Sequence, residues 1–364
     1  MNIEYKQNLF VVLLHLCLVL SCTHREKIGC DNVEIVDIGE YADKKLWNPT
    51  YYEYDARVVK LETTTECLIS HIENLFFSDK YIYVKTSTPQ IFIFDYDGNY
   101  INKLKLGNGK GEITQIIDAC YDNEKNELLV YQDPFVKFYT PTGVYKYEKE
   151  IQYFFVKIAS VKHGYILKSP IGYMRYKSKP NTTLIFVDKN FENPHAYLNC
   201  ANNKSINSNM SLCYDVTNDV VVIPSNADTI YYLIDGVLIP KYYTKYPKNN
   251  IVGPDLFVLA ENYLETSEFQ YFSFINKGVL NVFRDKKTGN IIAGRFEDAE
   301  KAAFVTSPIA IYKDYFVCVK NNPNSELFYK SELLSTSDLD KINSQKEDDN
   351  PLLIFFKLKP LCKN

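Results

Sequence analysis

Glu73, Asp118, Lys157 and Asp215 are the residues best placed for chemistry. Each is an ionisable side chain inside a short run of Ile, Leu, Phe or Val. Carboxylates and an amine brought together from separate strands could hold a divalent metal such as calcium, or a polar ligand. No contiguous motif adds to them. There is no Gly-x-Ser-x-Gly elbow and no His-Glu-x-x-His, and His24, His71, His163 and His195 are widely scattered. Gly107-Asn108-Gly109-Lys110-Gly111-Glu112 has Glu112 where a dinucleotide fingerprint needs its third glycine. Nor does Ser or Thr follow Lys110, as a phosphate loop requires. Asp95-Tyr96-Asp97-Gly98 places its glycine too early for an EF-hand calcium loop and reads as a hairpin turn. Groups so far apart in sequence act together only if the fold gathers them.

A recurring turn shows how it would. Asp97-Gly98, Thr142-Gly143, Asp235-Gly236 and Thr288-Gly289 each lie between strand-like runs. They recur at about 45 residues, with one gap of about double length that a degenerate turn near Asn193 fills; such a period marks the blades of a β-propeller. Asp-Gly between alternating apolar runs is a strong hairpin signal because both residues tolerate positive φ. The expected fold is all-β: a six-bladed β-propeller with four-stranded antiparallel blades. Its first four blades run from about Ile69, Ile116, Phe154 and Leu212. A short helix from Asp255 to about Thr266 precedes a fifth blade at Phe269–Phe296. A sixth blade, begun at Ile309, is interrupted by a polar helical segment from Asn324 to Ile342 and resumes at Leu352–Lys357. The alternating run Arg57–Leu61 has no blade of its own, so it is expected to close the ring beside Leu352–Lys357. The first strand of each blade lines the channel, which places Glu73, Asp118, Lys157 and Asp215 there.

The N-terminus carries an address. Leu9–Leu20 is an apolar run that suits a signal-peptide core and is too short to span a bilayer. It ends in Val19-Leu20-Ser21-Cys22, which resembles the lipobox of bacterial lipoproteins and implies an acylated Cys22. The expected division is a signal peptide at 1–21, a lipidated tether and lead-in at 22–50, and one propeller domain at 51–364. Of the nine cysteines, Cys120 and Cys318 lie in apolar strands and read as core, while Cys200 and Cys213 flank a polar loop and could pair. The chain has 30 Tyr, 22 Phe and one Trp, a composition suited to half-buried strands. Its net charge of −4, without a basic stripe, argues against a nucleic-acid partner.

Three stretches together resemble the six-bladed, NHL-repeat-like propeller lipoproteins of Gram-negative bacteria. They are Val58–Thr63, Ile91-Phe92-Ile93-Phe94-Asp95 with Asp97-Gly98, and Gly107–Glu112. Thr229-Ile230-Tyr231 with Asp235-Gly236 and Pro240 matches the same pattern, and Asp228-Thr229-Ile230 resembles a short O-glycosylation acceptor. The resemblance implies an outer-membrane lipoprotein, and the tether after Cys22, Thr-His-Arg-Glu-Lys-Ile, lacks the acidic run that marks surface export in some Gram-negative lipoproteins, which favours the periplasmic side. Its expected role is to bind an envelope protein or a glycan through loops such as Met174–Thr182, Cys200–Asn209 and Asn321–Asp349. The alternative is a metal-dependent hydrolase or lyase with its site at the channel mouth.

Overall fold

In the computed structural model, residues 33–38, 53–169, 182–199, 211–214, 220–223, 229–234, 237–245, 263–275, 279–295, 307–321 and 334–360 are described. Their strands form six sheets arranged as a ring. The first strand, β1 (Glu34–Asp37), and the second, β2 (Glu53–Lys60), join sheets distant in sequence. Blade 1 is β3 (Ile72–Phe77), β4 (Tyr81–Thr86), β5 (Ile91–Asp95) and β6 (Tyr100–Lys103). Blade 2 is β7 (Asp118–Asp122), β8 (Glu127–Gln132), β9 (Phe135–Tyr139) and β10 (Tyr145–Glu150). Blade 3 is β11 (Lys157–Val161), β12 (Gly164–Lys168), β13 (Thr182–Asp188) and β14 (His195–Asn199). Blade 4 is β15 (Ser211–Tyr214), β16 (Val220–Ile223), β17 (Thr229–Ile234) and β18 (Val237–Lys245). Blade 5 is β19 (Tyr263–Glu265), β20 (Phe269–Ile275), β21 (Val279–Asp285) and β22 (Ile291–Arg295). Blade 6 is β23 (Ala310–Tyr312), β24 (Tyr315–Lys320), β25 (Leu352–Leu358) and, from the other end of the chain, β2.

The ring closes as the Arg57–Leu61 run predicts. β2 pairs antiparallel with β25, setting Arg57 opposite Phe355 and Lys60 opposite Leu352. Arg57 lies over the ring of Phe355 at 4.3 Å and beside Tyr96, Tyr312 and Tyr315, so one guanidinium spans the seam between blades 6 and 1. Gly98 belongs to the same seam. Its φ is +90°, and a Cβ there would lie 2.0 Å from the carbonyl oxygen of Lys60. Each blade packs apolar side chains onto its neighbour: Cys318 joins a core between blades 5 and 6, and Cys120 one between blades 2 and 3. Both cysteines are buried, and neither forms a disulfide.

The outer edge of blade 6 is covered by α1 (Thr336–Asn343). Its Asp338 accepts from the Val58 amide at 3.0 Å, and Lys341 donates to the Val58 carbonyl at 2.8 Å. Those are the backbone groups that an exposed edge strand would leave unpaired. Of the polar segment expected to be helical from Asn324 to Ile342, residues 324–333 lie outside the described residues, and the helix runs one residue past Ile342.

Two expectations are corrected. Tyr263–Glu265 is not the end of a helix but the innermost strand of blade 5, with Tyr263, Leu264 and Glu265 all buried; the rest of that stretch lies outside the described residues. Pairing with β20 overrides the local helical spacing. Glu34–Asp37, read as lead-in, is a strand pairing parallel with β18, so blade 4 has five strands. The degenerate turn at Asn193 is present, with Asn193 at φ 51°. No helix among the described residues is long and apolar enough to cross a membrane.

Candidate functional site

The channel has two unlike ends. At one, first strands begin and second strands finish; at the other, hairpins join first strands to second. Lysines gather at the former. Lys85, Lys168 and Lys320 stand at or one residue from the C-terminal end of β4, β12 and β24, the second strands of blades 1, 3 and 6. They are only 3%, 2% and 6% exposed. Lys157 opens β11 directly opposite Lys168 and is more exposed.

The acids at this end are bound to those lysines. Glu73 on β3 accepts from Lys85 Nζ at 2.7 Å. Asp118 on β7 reaches across to blade 3, where its Oδ2 accepts from the Ile158 amide at 2.9 Å. Its Oδ1 lies 3.6 Å from Lys157 Nζ and is buried without a hydrogen bond. Thus Asp118 and Lys157 meet, Glu73 is held in blade 1, and Asp215 lies outside the described residues. Ser169 Oγ and Asn281 Nδ2 are also buried without hydrogen-bond partners. Asn281 is the third residue of β21, the third strand of blade 5, and accepts from Ser307, which precedes β23 on the side of Lys320.

Burial pushes the Lys168 amine down to about 7, and neighbouring Lys157 adds to the shift while Asp118 opposes it. Burial alone brings Lys320 down to about 8. Such amines change charge near neutral pH and gain a proton when an anion approaches. A cation is poorly served here. Among the described residues no three His, Cys, Asp or Glu side chains converge, and each acid already faces an ammonium group.

Sequence reasoning found Lys157 but missed Lys85, Lys168 and Lys320. Their signal is an apolar second strand closing on lysine: Tyr81-Ile-Tyr-Val-Lys85, Tyr165-Ile-Leu-Lys168 and Tyr315-Phe-Val-Cys-Val-Lys320. Gly107–Glu112 joins blade 1 to blade 2. Glu112 accepts from the Gly109 amide at 2.8 Å, and a Cβ on Gly107 would strike that carboxylate. The loop is thus closed on itself. Asp95 likewise accepts from the amides of Asp97 and Asn99, a side-chain-braced turn. Cys200, and the side chain of Cys213, lie outside the described residues.

Six sheets around one channel, five of four strands and one of five, define a six-bladed β-propeller. Within that class, the chain belongs to the family described as "Domain of unknown function (DUF4934)", whose profile matches residues 38–357. Among solved structures, a protein of Bacteroides fragilis NCTC 9343 named as exported (BF0058) superposes with a TM-score of 0.72 at 16% identity. The match covers 89% of this chain and 99% of that one. A catalytically inactive virginiamycin B lyase from Staphylococcus aureus, solved with quinupristin, matches with a TM-score of 0.44 at 13% identity, over 83% of this chain and 99% of its own. No curated protein matches the chain.

Proposed function

We infer that this protein is an exported, lipid-anchored binding propeller that takes a partner bearing an anionic group at the lysine-rimmed end of its channel. The observation that carries the reading is the repeated placement of Lys85, Lys168 and Lys320 at one end of the ring, with Lys157 presented beside them. Buried ammonium groups in a low-dielectric wall focus positive potential on whatever enters. Glu73 holds Lys85 in place, and Asp118 faces Lys157. The connections from β12 to β13 and from β24 to β25 also leave from and return to this end. The lipobox-like Val19-Leu20-Ser21-Cys22 supports export and an anchor at the outer membrane, facing the periplasm, and the exported character of the Bacteroides fragilis protein agrees with it. The partner is an envelope glycan or protein with carboxylate or phosphate groups.

A thermal-shift series tests this. Acidic glycans, their neutral counterparts and anionic peptides are compared, with calcium and other divalent metals added with and without chelator. A ligand that binds only the folded state raises its melting temperature. A shift confined to the acidic members is expected. A shift with metal alone, removed by chelator, would overturn the reading in favour of a metal-dependent hydrolase or lyase.

A further inference from the structure

Asp118 carries a hydrogen-bonding capacity that the fold does not use. It lies on the face of β7 that packs against blade 3, two residues before Cys120 in the core those blades share. Its Oδ2 is fixed by the Ile158 amide at 2.9 Å. Its Oδ1 is buried, has no hydrogen bond, and stands 3.6 Å from the Lys157 ammonium. The residue is only 3% exposed, so protein rather than bulk water surrounds that oxygen. Glu73 differs: it is half exposed, and Lys85 donates to it at 2.7 Å.

Two neighbours sharpen the demand. Ser169 lies two residues past Leu167, which packs in the same core, so the alternation of β12 carries Ser169 toward blade 2 as well. Ser169 is 1% exposed, and its hydroxyl has no hydrogen-bond partner. Lys157 keeps 42% of its side chain exposed and is the register partner of Lys168. Like charges set directly opposite on a sheet are destabilising, and an anion would offset them. A carboxylate only accepts, so whatever completes Asp118 must donate to it. An ammonium only donates, so Lys157 is best met by an anionic acceptor. A sugar carboxylate with a hydroxyl on the adjacent ring carbon answers both. The side-chain carboxylate of an acidic peptide has no hydroxyl beside it.

We propose that Asp118 and Lys157 form a subsite for a uronic acid unit, whose ring hydroxyl donates to Asp118 Oδ1 while its carboxylate takes the Lys157 ammonium. The proposal rests on the lysine-rimmed mouth being the binding end, and it narrows the partner to a glycan. Lys157 covers Oδ1 in the free protein; drawn onto the ligand's carboxylate, it uncovers that oxygen for the hydroxyl. Ser169 adds a hydroxyl able to donate or accept at the same seam.

The test titrates four probes into the mature protein by ligand-observed NMR at low salt: methyl glucuronide, its 4-deoxy analogue, its uncharged amide, and triglutamate. Methyl glucuronide is expected to bind at least about tenfold more tightly than the 4-deoxy analogue, because the analogue leaves the buried oxygen unpaired. The amide and triglutamate should bind more weakly than the glucuronide. Asp118→Asn should bring the hydroxyl-to-deoxy ratio within about twofold, whereas Lys157→Met should weaken both acidic sugars alike. Equal affinity for the glucuronide and its 4-deoxy analogue in the wild type overturns the proposal, and that comparison decides even where Asp118→Asn fails to fold. An unchanged ratio in folded Asp118→Asn overturns it too. Triglutamate binding as tightly as the glucuronide would leave the lysine mouth standing and remove the sugar subsite. Binding of no acidic probe would remove both.

Discussion

The two ends of the channel are built from the same residue types and put them to opposite uses. At the hairpin end, Asp122 is fully buried and fully engaged. It accepts from the amides of Glu124 and Lys125, from the Tyr165 hydroxyl at 2.7 Å and from Lys189 Nζ at 2.8 Å. Lys189 also donates to Ser160 at 3.0 Å, and Lys125 to the Lys189 carbonyl at 2.8 Å, so the cluster locks blade 2 to blade 3. Burial works against the Asp122 carboxylate, but Lys189 and Tyr165 outweigh it and hold the group below the usual carboxylate range. At the lysine end, Asp118 bridges the same two blades with one oxygen and leaves the other without a hydrogen bond. Charge is closed on itself at one end and left with capacity at the other. Three of the six buried side-chain atoms without a hydrogen-bond partner among the described residues, on Asp118, Ser169 and Asn281, lie toward the lysine end, and such groups are costly to a fold.

Removing Asp122 should break the closed end outright. Asp122→Ala removes the fully buried partner of Lys189 and of the Tyr165 hydroxyl and leaves Lys189 only the more exposed Glu124 at 3.3 Å, and a loss of roughly 3 kcal/mol is expected in urea unfolding. Acid should expose the same dependence. The Asp122 contribution is present above the ordinary carboxyl range and is lost as pH falls through the lowered folded value. Wild type should therefore lose stability on acidification more steeply than Asp122→Asn. At the seam, Gly98→Ala forces a side chain into positive φ against the Lys60 carbonyl, and about 1–3 kcal/mol of destabilisation is expected by the same assay.

At the lysine end substitution should act with the opposite sign, although stability again rises with pH. Folded Lys168 releases its proton near 7, whereas an unfolded lysine keeps it to about 10.4. Between those values the unfolded chain binds more protons, so this residue makes stability rise with pH. Lys168→Met should be neutral or stabilising at pH 6, and should flatten the rise in melting temperature between pH 7 and 10. A destabilised variant at pH 6 would show that the buried amine serves the fold instead.

Turn chemistry and the apolar alternation were legible because they act locally. Gly98, Gly143 and Gly289 all adopt positive φ in the turns expected of them, and Arg57 and Val58 lie where an unpartnered alternating strand had to go. β19 was not legible: three buried residues show no alternation, and Glu265 reads as solvent-exposed until Tyr232, Tyr263 and Lys286 surround it. The lysines were missed for the same reason. A strand-terminal lysine reads as solvated, and only the packing of second strands against their neighbours buries Lys85, Lys168 and Lys320. Glu73 and Asp118 were located on the right strands, yet their lysine partners, and so the sign of the site, came from the tertiary structure.

The most direct test reverses the charge of one lysine at each end and reads the affinity for a single acidic glycan by calorimetry at low salt. Lys157→Glu should weaken binding at least tenfold, while Lys125→Glu at the hairpin end should leave it within twofold once both variants are confirmed folded. Equal losses from the two variants, or binding that survives Lys157→Glu, would contradict the assignment of the lysine-rimmed mouth as the binding end.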